Sequence, residues 1–159
     1  MKNKVKFALV GCGRISERHL ESIVEYGELV AVCDIIVEKA QFIAEKFPAR
    51  VYSSLEEMLS AESSNIDFIS ICTPNGLHAE HSILALNFGV NVLCEKPMAL
   101  TVKDCLKMIS TAEMNNRRLF AVKQNRFNPP VAKLKELLDD GKLGRILSVH
   151  FECCARLRN

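Results

Sequence analysis

A glycine-containing segment directly after the first apolar run is the first candidate for chemistry. Gly11 and Gly13 stand in the segment 11–16, between the run Val5–Val10 and an amphipathic stretch. The first glycine permits a tight turn, and the second lets the backbone approach a pyrophosphate at a helix N-terminus. Ser16 occupies the position where Gly or Ala is usual, and it is still small enough for close packing. The spacing predicts a dinucleotide phosphate loop, although a glycine turn without a ligand has the same sequence.

An acidic residue ends the second apolar run. Asp34 lies roughly 20 residues after Gly11, where a carboxylate is expected to meet the adenosine ribose hydroxyls. Ile35 and Ile36 follow it, so no Lys or Arg is in place for a 2′-phosphate. The pattern favours NAD over NADP, and a simple turn cap is the alternative role of Asp34.

Short polar residues follow the apolar run 68–72. Thr73 and Asn75 can touch a cofactor there without crowding it, because ligands of such sheets lie outside the carboxyl ends of the strands. His78 and His81 are three residues apart on a predicted helix, a spacing that a metal could use. No third ligand is evident, so we predict no metal site and interpret His81 as a surface or packing residue.

The segment Glu95-Lys96-Pro97 follows the next apolar run. A lysine beside a cofactor cleft can be desolvated, which lowers its pKa and lets it accept or steer a hydroxyl proton while hydride leaves for the nicotinamide. Glu95 could bind ribose hydroxyls, and Pro97 would fix the turn, where a cis bond is possible. On these residues alone, a surface ion pair before a turn is the favoured interpretation.

Positioning these segments together requires a parallel sheet. Short apolar runs rich in Val, Ile, Leu and Phe alternate with amphipathic stretches, for which Ser54 and Thr101 are predicted N-caps. The alternation predicts an α/β fold with a doubly wound parallel sheet, the Rossmann fold, over residues 1–127. The predicted strands are 5–10, 29–33, 50–52, 68–72, 91–94 and 119–123.

Residues 128–159 form a separate segment in this interpretation. Asn128-Pro129-Pro130 opens a helix rich in Leu and Lys, and 146–154 is predicted to be a long strand with no following element. We therefore expect a linking helix and the first strand of a truncated second α/β domain.

Composition excludes some classes of function. The 159 residues are 48% hydrophobic and 25% charged, with a net charge of +2 and no long run of one sign, which argues against nucleic-acid or membrane-surface binding. No segment offers the ~20 apolar residues of a membrane span. The seven cysteines show no metal-type pairing and are interpreted as reduced thiols, so a cytoplasmic location is expected.

Taken together, the motifs resemble the glucose–fructose oxidoreductase and inositol dehydrogenase (Gfo/Idh/MocA) family. The combination of EKPMA and VKQNR is most similar to the UDP-N-acetylglucosaminuronate 3-dehydrogenases of surface-polysaccharide biosynthesis, which oxidise a sugar-nucleotide hydroxyl with NAD+. Besides Asp34, the matching segments are FALVGCGRIS at 7–16, TPNGLHAEH at 73–81, EKPMAL at 95–100, VKQNRFNPP at 122–130 and GKLGRILSV at 141–149.

The resemblance implies a function and a set of site residues. The function is hydride transfer between a sugar or UDP-sugar hydroxyl and NAD, with Lys96 as the catalytic residue and Asn125 and Arg126 near the nicotinamide or substrate. The residues implied to line NAD are Gly11, Gly13, Arg14, Ile15, Asp34, Thr73, Asn75, His78, Glu95 and Gln124.

The length departs from that family, whose members carry a second domain that covers the active site and supplies a histidine, often with an aspartate. The chain is therefore expected to be a fragment or a truncated product that binds NAD but catalyses poorly alone. The apolar edge of its last predicted strand favours association into a homo-oligomer. Two alternatives remain: a non-catalytic NAD-binding or regulatory module, and a nucleotide-binding transferase that shares only the glycine turn, against which the EKP segment argues.

Overall fold

The computed structural model describes residues 4–150 and 152. The chain divides into two compact units, Met1–Val122 and Lys123–Asn159. The predicted boundary between residues 127 and 128 lies slightly C-terminal to this division. No helix within the described residues is long and apolar enough to cross a membrane.

A six-stranded sheet forms the centre of the first unit, and every neighbouring pair of strands is parallel. The strand order is β3-β2-β1-β4-β5-β6, so the chain reverses direction across the sheet between β1 and β4. This is the doubly wound order that the sequence predicts. The strands are β1 (Val5–Val10), β2 (Gly27–Cys33), β3 (Arg50–Tyr52), β4 (Phe68–Ile71), β5 (Asn91–Cys94) and β6 (Leu119–Ala121).

Helices connect the strands, and two of them begin at the predicted caps. The Ser54 hydroxyl accepts a hydrogen bond from the Glu57 amide at 3.5 Å, and the Thr101 hydroxyl accepts one from the Asp104 amide at 3.1 Å. The helices of this unit are α1 (Ser16–Tyr26), α2 (Val37–Ala44), α3 (Leu55–Glu62), α4 (His78–Asn87) and α5 (Val102–Met114).

The sheet separates two apolar clusters, which explains why its strands are continuous apolar runs. In β1, Ala8 and Val10 face the cluster formed with α3, α4 and α5. Leu9, between them, faces the cluster formed with α1 and α2. Both sides of the central strand are therefore buried, and the C-terminal strand ends are held in fixed positions beneath the loops that follow them.

The second unit contains α6 (Pro129–Asp139), preceded by a short 3₁₀ turn, Gln124–Phe127. The strand predicted over 146–154 is not formed at 146–150, and the structure does not describe residues 151, 153 and 154 of it. A lone strand needs a partner for its backbone N–H and C=O groups. No described residue pairs with 146–150, so the apolar pattern alone does not produce a strand here.

Candidate functional site

The loop after β1 turns sharply against the loop after β4. Gly11 is buried with φ +89°, and a Cβ placed on it would lie 2.6 Å from the carbonyl carbon of Cys72 and 2.7 Å from the amide nitrogen of Thr73. Its own amide donates to the carbonyl of Cys33 at 2.9 Å. Only glycine permits both this conformation and this close approach at the point where the strand order reverses.

Gly13 has a different role from Gly11. A Cβ placed on it would have no heavy atom within 4 Å, so the space above the loop is open. Arg14 and Ile15 are exposed on the same turn. Ser16 is 2% exposed, and its hydroxyl donates to the carbonyl of Gly13 at 2.6 Å. Serine is therefore accommodated at this position because its hydroxyl is paired within the loop, which leaves the N-terminus of α1 accessible to an anion.

Asp34, directly after β2, bonds to the glycine loop. One carboxylate oxygen accepts from the Cys12 amide at 2.7 Å, and the other accepts from the Ile36 amide at 2.8 Å. Asp34 thus does cap a turn, as the alternative interpretation proposed, and it also lies beside the loop. A carboxylate has about four acceptor positions, so two remain for ribose hydroxyls.

The loop after β4 is held by two histidines. Thr73 is half-buried and Asn75 is exposed, and the Thr73 hydroxyl lies 3.2 Å from Nδ1 of His81. His78 is 1% exposed, with Nε2 2.8 Å from the Thr73 carbonyl and Nδ1 2.7 Å from the Pro97 carbonyl. Both ring nitrogens of His78 already have partners. The ring is turned into the protein, and the expectation that His78 lines the cofactor stays a prediction from the resemblance.

The loop after β5 carries the predicted catalytic lysine. The Lys96 side chain is exposed, so the expected desolvation is absent in this unit. Its amide donates to Oε2 of Glu95 at 2.9 Å. The Lys96–Pro97 peptide bond is cis, as the proline allows. Lys96 therefore projects from a backbone that is fixed on both sides, by Glu95 before it and by His78 after it.

Glu95 forms a buried pair that the sequence analysis missed. Glu95 is 6% exposed and His19, on α1, is 7% exposed, and Oε1 of Glu95 lies 3.0 Å from Nε2 of His19. Glu95 is thus not part of a surface ion pair, and its contact with ribose stays a prediction. The signal for His19 was its place beside Leu20 on the apolar face of α1, where a polar residue needs a buried partner.

The thiol of Cys12, within the glycine loop, is held in its protonated form. Burial, followed by the negative charge of Asp34, raises the pKa of Cys12 to about 12. Burial likewise raises the pKa of Cys33 to about 12. Both remain protonated at neutral pH, which suits their interpretation as structural thiols. The described part of the chain contains no group of three or more potential metal-binding side chains.

Comparison with known families identifies the chain. The family described as oxidoreductases with an NAD-binding Rossmann fold, GFO_IDH_MocA, matches residues 5–123. The chain belongs to this family. The resemblance seen in the sequence is confirmed, and NAD is the cofactor that the family description names.

Several Gfo/Idh/MocA proteins cover nearly the whole chain. The WlbA dehydrogenase from Bordetella pertussis, solved in complex with NADH and UDP-GlcNAcA, is 38% identical with a TM-score of 0.85, covering 91% of this chain and 42% of that one. Inositol 2-dehydrogenase from Salmonella typhimurium is 32% identical over 92% of this chain and 45% of its own length. The scyllo-inositol 2-dehydrogenase (NADP(+)) from Bacillus subtilis is 37% identical over 89% and 43%. The chain thus spans less than half the length of these relatives.

The remaining predicted residues lie in the second unit. Gln124, Asn125 and Arg126 are exposed on one 3₁₀ turn, and the Arg126 amide donates to the Lys123 carbonyl at 3.0 Å. The Asn125 side-chain oxygen accepts from the Asn128 amide group at 3.3 Å. Their part in binding the cofactor or substrate stays a prediction from the Gfo/Idh/MocA resemblance.

Proposed function

We propose that the chain is the cofactor-binding part of an NAD-dependent dehydrogenase that transfers hydride between NAD and a hydroxyl of a sugar or sugar nucleotide. The observation that carries the proposal is the contact between Asp34 and the amide of Cys12 at 2.7 Å. It places an acceptor for ribose hydroxyls directly beside the loop that would hold the pyrophosphate. This arrangement supports binding of the adenosine half of NAD at this loop.

Lys96 is the proposed catalytic residue. Its side chain is exposed at the carboxyl end of β5, while its own amide and the following carbonyl are both held by buried groups. The Lys96 amine can therefore move toward a substrate hydroxyl while the backbone of its loop stays in place. It would accept or steer the hydroxyl proton as hydride passes to the nicotinamide, which is general acid–base catalysis.

The relatives support a polyol or sugar as substrate. UDP-GlcNAcA is bound in the WlbA structure, and the inositol dehydrogenases act on a cyclic polyol. A UDP-sugar acid is the proposed substrate of this chain, with Asn125 and Arg126 on its substrate side. A guanidinium is suited to the carboxylate or phosphate of such a molecule, because it donates two parallel hydrogen bonds.

The difference in affinity between NAD+ and NADP+ tests the proposed role of Asp34 in cofactor binding. We expect NADP+ to bind at least about tenfold more weakly than NAD+, because a 2′-phosphate would meet the carboxylate of Asp34. In Asp34→Asn, NAD+ should bind about tenfold more weakly and the difference between the cofactors should narrow, since the charge and one strong acceptor are lost. Calorimetric titration measures all four affinities.

A matched control is available at the opposite end of the sheet. Asp67 also accepts a backbone amide, from Lys6 at 2.8 Å, so Asp67→Asn makes the same change of charge away from the loop. It should leave both affinities unchanged. Equal or stronger binding of NADP+ by the unmodified chain would contradict the assignment of the cofactor.

A non-catalytic NAD-binding or regulatory module is the second proposal. The observation that favours it is the exposed side chain of Lys96, which lacks the desolvation expected of a catalytic lysine. A hydride-transfer assay with NAD+ and UDP-sugar acids, run on this chain and on any longer form, separates the two. Turnover that depends on Lys96 supports the dehydrogenase, whereas NAD+ binding without turnover in either form supports the module.

We also propose that the chain self-associates and is cytoplasmic. The side chains of Leu147 and Val149 are 84% and 55% exposed, and association would bury such apolar surface. Light scattering should give a dimer or larger species, and a monomer at high protein concentration would contradict the association.

The proposed cytoplasmic location rests on the cysteines. The five cysteines in the described part of the chain are free thiols, as expected in a reducing compartment.

A further inference from the structure

The buried ring of His78 connects the two loops that follow β4 and β5. Its Nε2 lies 2.8 Å from the carbonyl oxygen of Thr73, and its Nδ1 lies 2.7 Å from the carbonyl oxygen of Pro97. The ring is 1% exposed, so water does not compete for either nitrogen. In both contacts the partner of the ring is a backbone carbonyl.

The number of protons on the ring follows from these partners. A neutral imidazole has one N–H donor and one bare nitrogen, which is an acceptor. Both partners of His78 are carbonyl oxygens, which only accept. A bare nitrogen at either position would direct its lone pair at an oxygen less than 3 Å away. Both distances instead match hydrogen bonds donated by a charged nitrogen.

We propose that His78 is an imidazolium, protonated on both ring nitrogens, which ties the loop of Thr73 to the loop of Lys96 and so positions Lys96. The two carbonyl dipoles offset the cost of burying the charge. One contact is made to Pro97, the residue directly after Lys96, so loss of the Nδ1 donor would free one side of that loop. The protonation state of His78 does not depend on the proposed function, whereas its importance for catalysis rests on that function.

The neighbouring histidine does not add a second positive charge. Burial lowers the pKa of His81, the charge of Glu80 acts in the opposite direction, and a charge on His78 lowers it further. His81 is therefore neutral at neutral pH and lies 3.2 Å from the Thr73 hydroxyl, which can donate to it. The two histidines of α4 thus differ in charge although both contact Thr73.

The protonation state is tested by NMR on the unmodified, ¹⁵N-labelled chain at pH 7. We expect one imidazole ring in which both nitrogens carry slowly exchanging protons. This ring should be absent in His78→Gln and present in His81→Gln, the matched control. If His78→Gln does not fold, through-space contacts from the ring to Pro97 assign the signals in the unmodified chain. A spectrum in which the His78 ring has one bare nitrogen overturns the proposal.

The positioning role is tested by amide hydrogen exchange. In His78→Gln, the side-chain oxygen can only oppose a carbonyl or turn away. Exchange at Lys96 should then become about tenfold faster relative to exchange at Val92, in the core of β5. An equal increase at both amides would mean a general loss of stability and would overturn the positioning role. His81→Gln should leave the ratio unchanged. Neither readout needs cofactor, so failure of the proposed function would appear separately, as absence of NAD+ binding.

Discussion

Replacing Gly11 with alanine is expected to lower the free energy of unfolding by about 3 kcal/mol or more. The added methyl would lie 2.6 Å from the backbone of Cys72, and the residue would keep φ near +89°. Backbone atoms where the loops after β1 and β4 meet cannot move aside as a flexible side chain can. Overpacking costs about 1–3 kcal/mol and the left-handed conformation about 1–2 kcal/mol more. Urea unfolding followed by circular dichroism measures the change.

Gly13→Ala is the matched control, because it makes the same chemical change two residues away. Its methyl meets no heavy atom within 4 Å, so the free energy of unfolding should change by no more than about 0.5 kcal/mol. The methyl would instead occupy the open space above the loop, where the pyrophosphate is proposed to lie. NAD+ should therefore bind about tenfold more weakly or worse in calorimetry. Equal destabilisation by the two variants would contradict this division of roles.

The two glycines show how far the sequence determines the site. Their spacing after an apolar run is enough to predict a phosphate loop, because the chemistry of such a loop is local in sequence. What makes Gly11 indispensable is its contact with Cys72 and Thr73, which lie in the loop after another strand, β4. The doubly wound parallel sheet that creates this contact follows from the alternation of strands and helices, and this fold class was predicted correctly.

Helix faces were less predictable than strands. Four apolar residues in and just before α1 have the spacing of a single stripe, but Ile15 and Val24 are 38% and 56% exposed, whereas Leu20 and Ile23 are 8% and 3% exposed. The strands are buried on both sides, so every apolar residue in them contributes to the pattern. A helix buries only one stripe, and which residues belong to it depends on how the helix lies on the sheet.

Contacts between residues distant in the chain were beyond the sequence analysis. The His19–Glu95 pair joins residues 76 positions apart, and each residue alone is compatible with a surface position. Residues 146–150 of the strand predicted over 146–154 are not in a strand for a related reason, since an apolar run becomes a strand only when another strand pairs with it.

The buried pair of His19 and Glu95 provides the second large effect. In His19→Leu, the carboxylate of Glu95 stays 6% exposed and loses its partner on α1, which should lower the free energy of unfolding by about 3 kcal/mol. Glu95→Gln should cost only about 1 kcal/mol, because the neutral amide can still accept from the Lys96 amide and donate to His19. Urea unfolding of both single variants and of the double variant gives the coupling energy.

Arg18, the neighbour of His19 on α1, supplies the control. Its ion pair with Glu21 is on the surface, with side chains 77% and 66% exposed, so Arg18→Ala should change the free energy of unfolding by no more than about 0.5 kcal/mol. In the double variant His19→Leu with Glu95→Gln, no charge is left buried, and most of the cost of His19→Leu should be recovered. A cost for His19→Leu as small as that of Arg18→Ala would mean that the pair does not hold the Lys96 loop to α1. The loop that carries Lys96, the proposed catalytic residue, would then not be stabilised by α1.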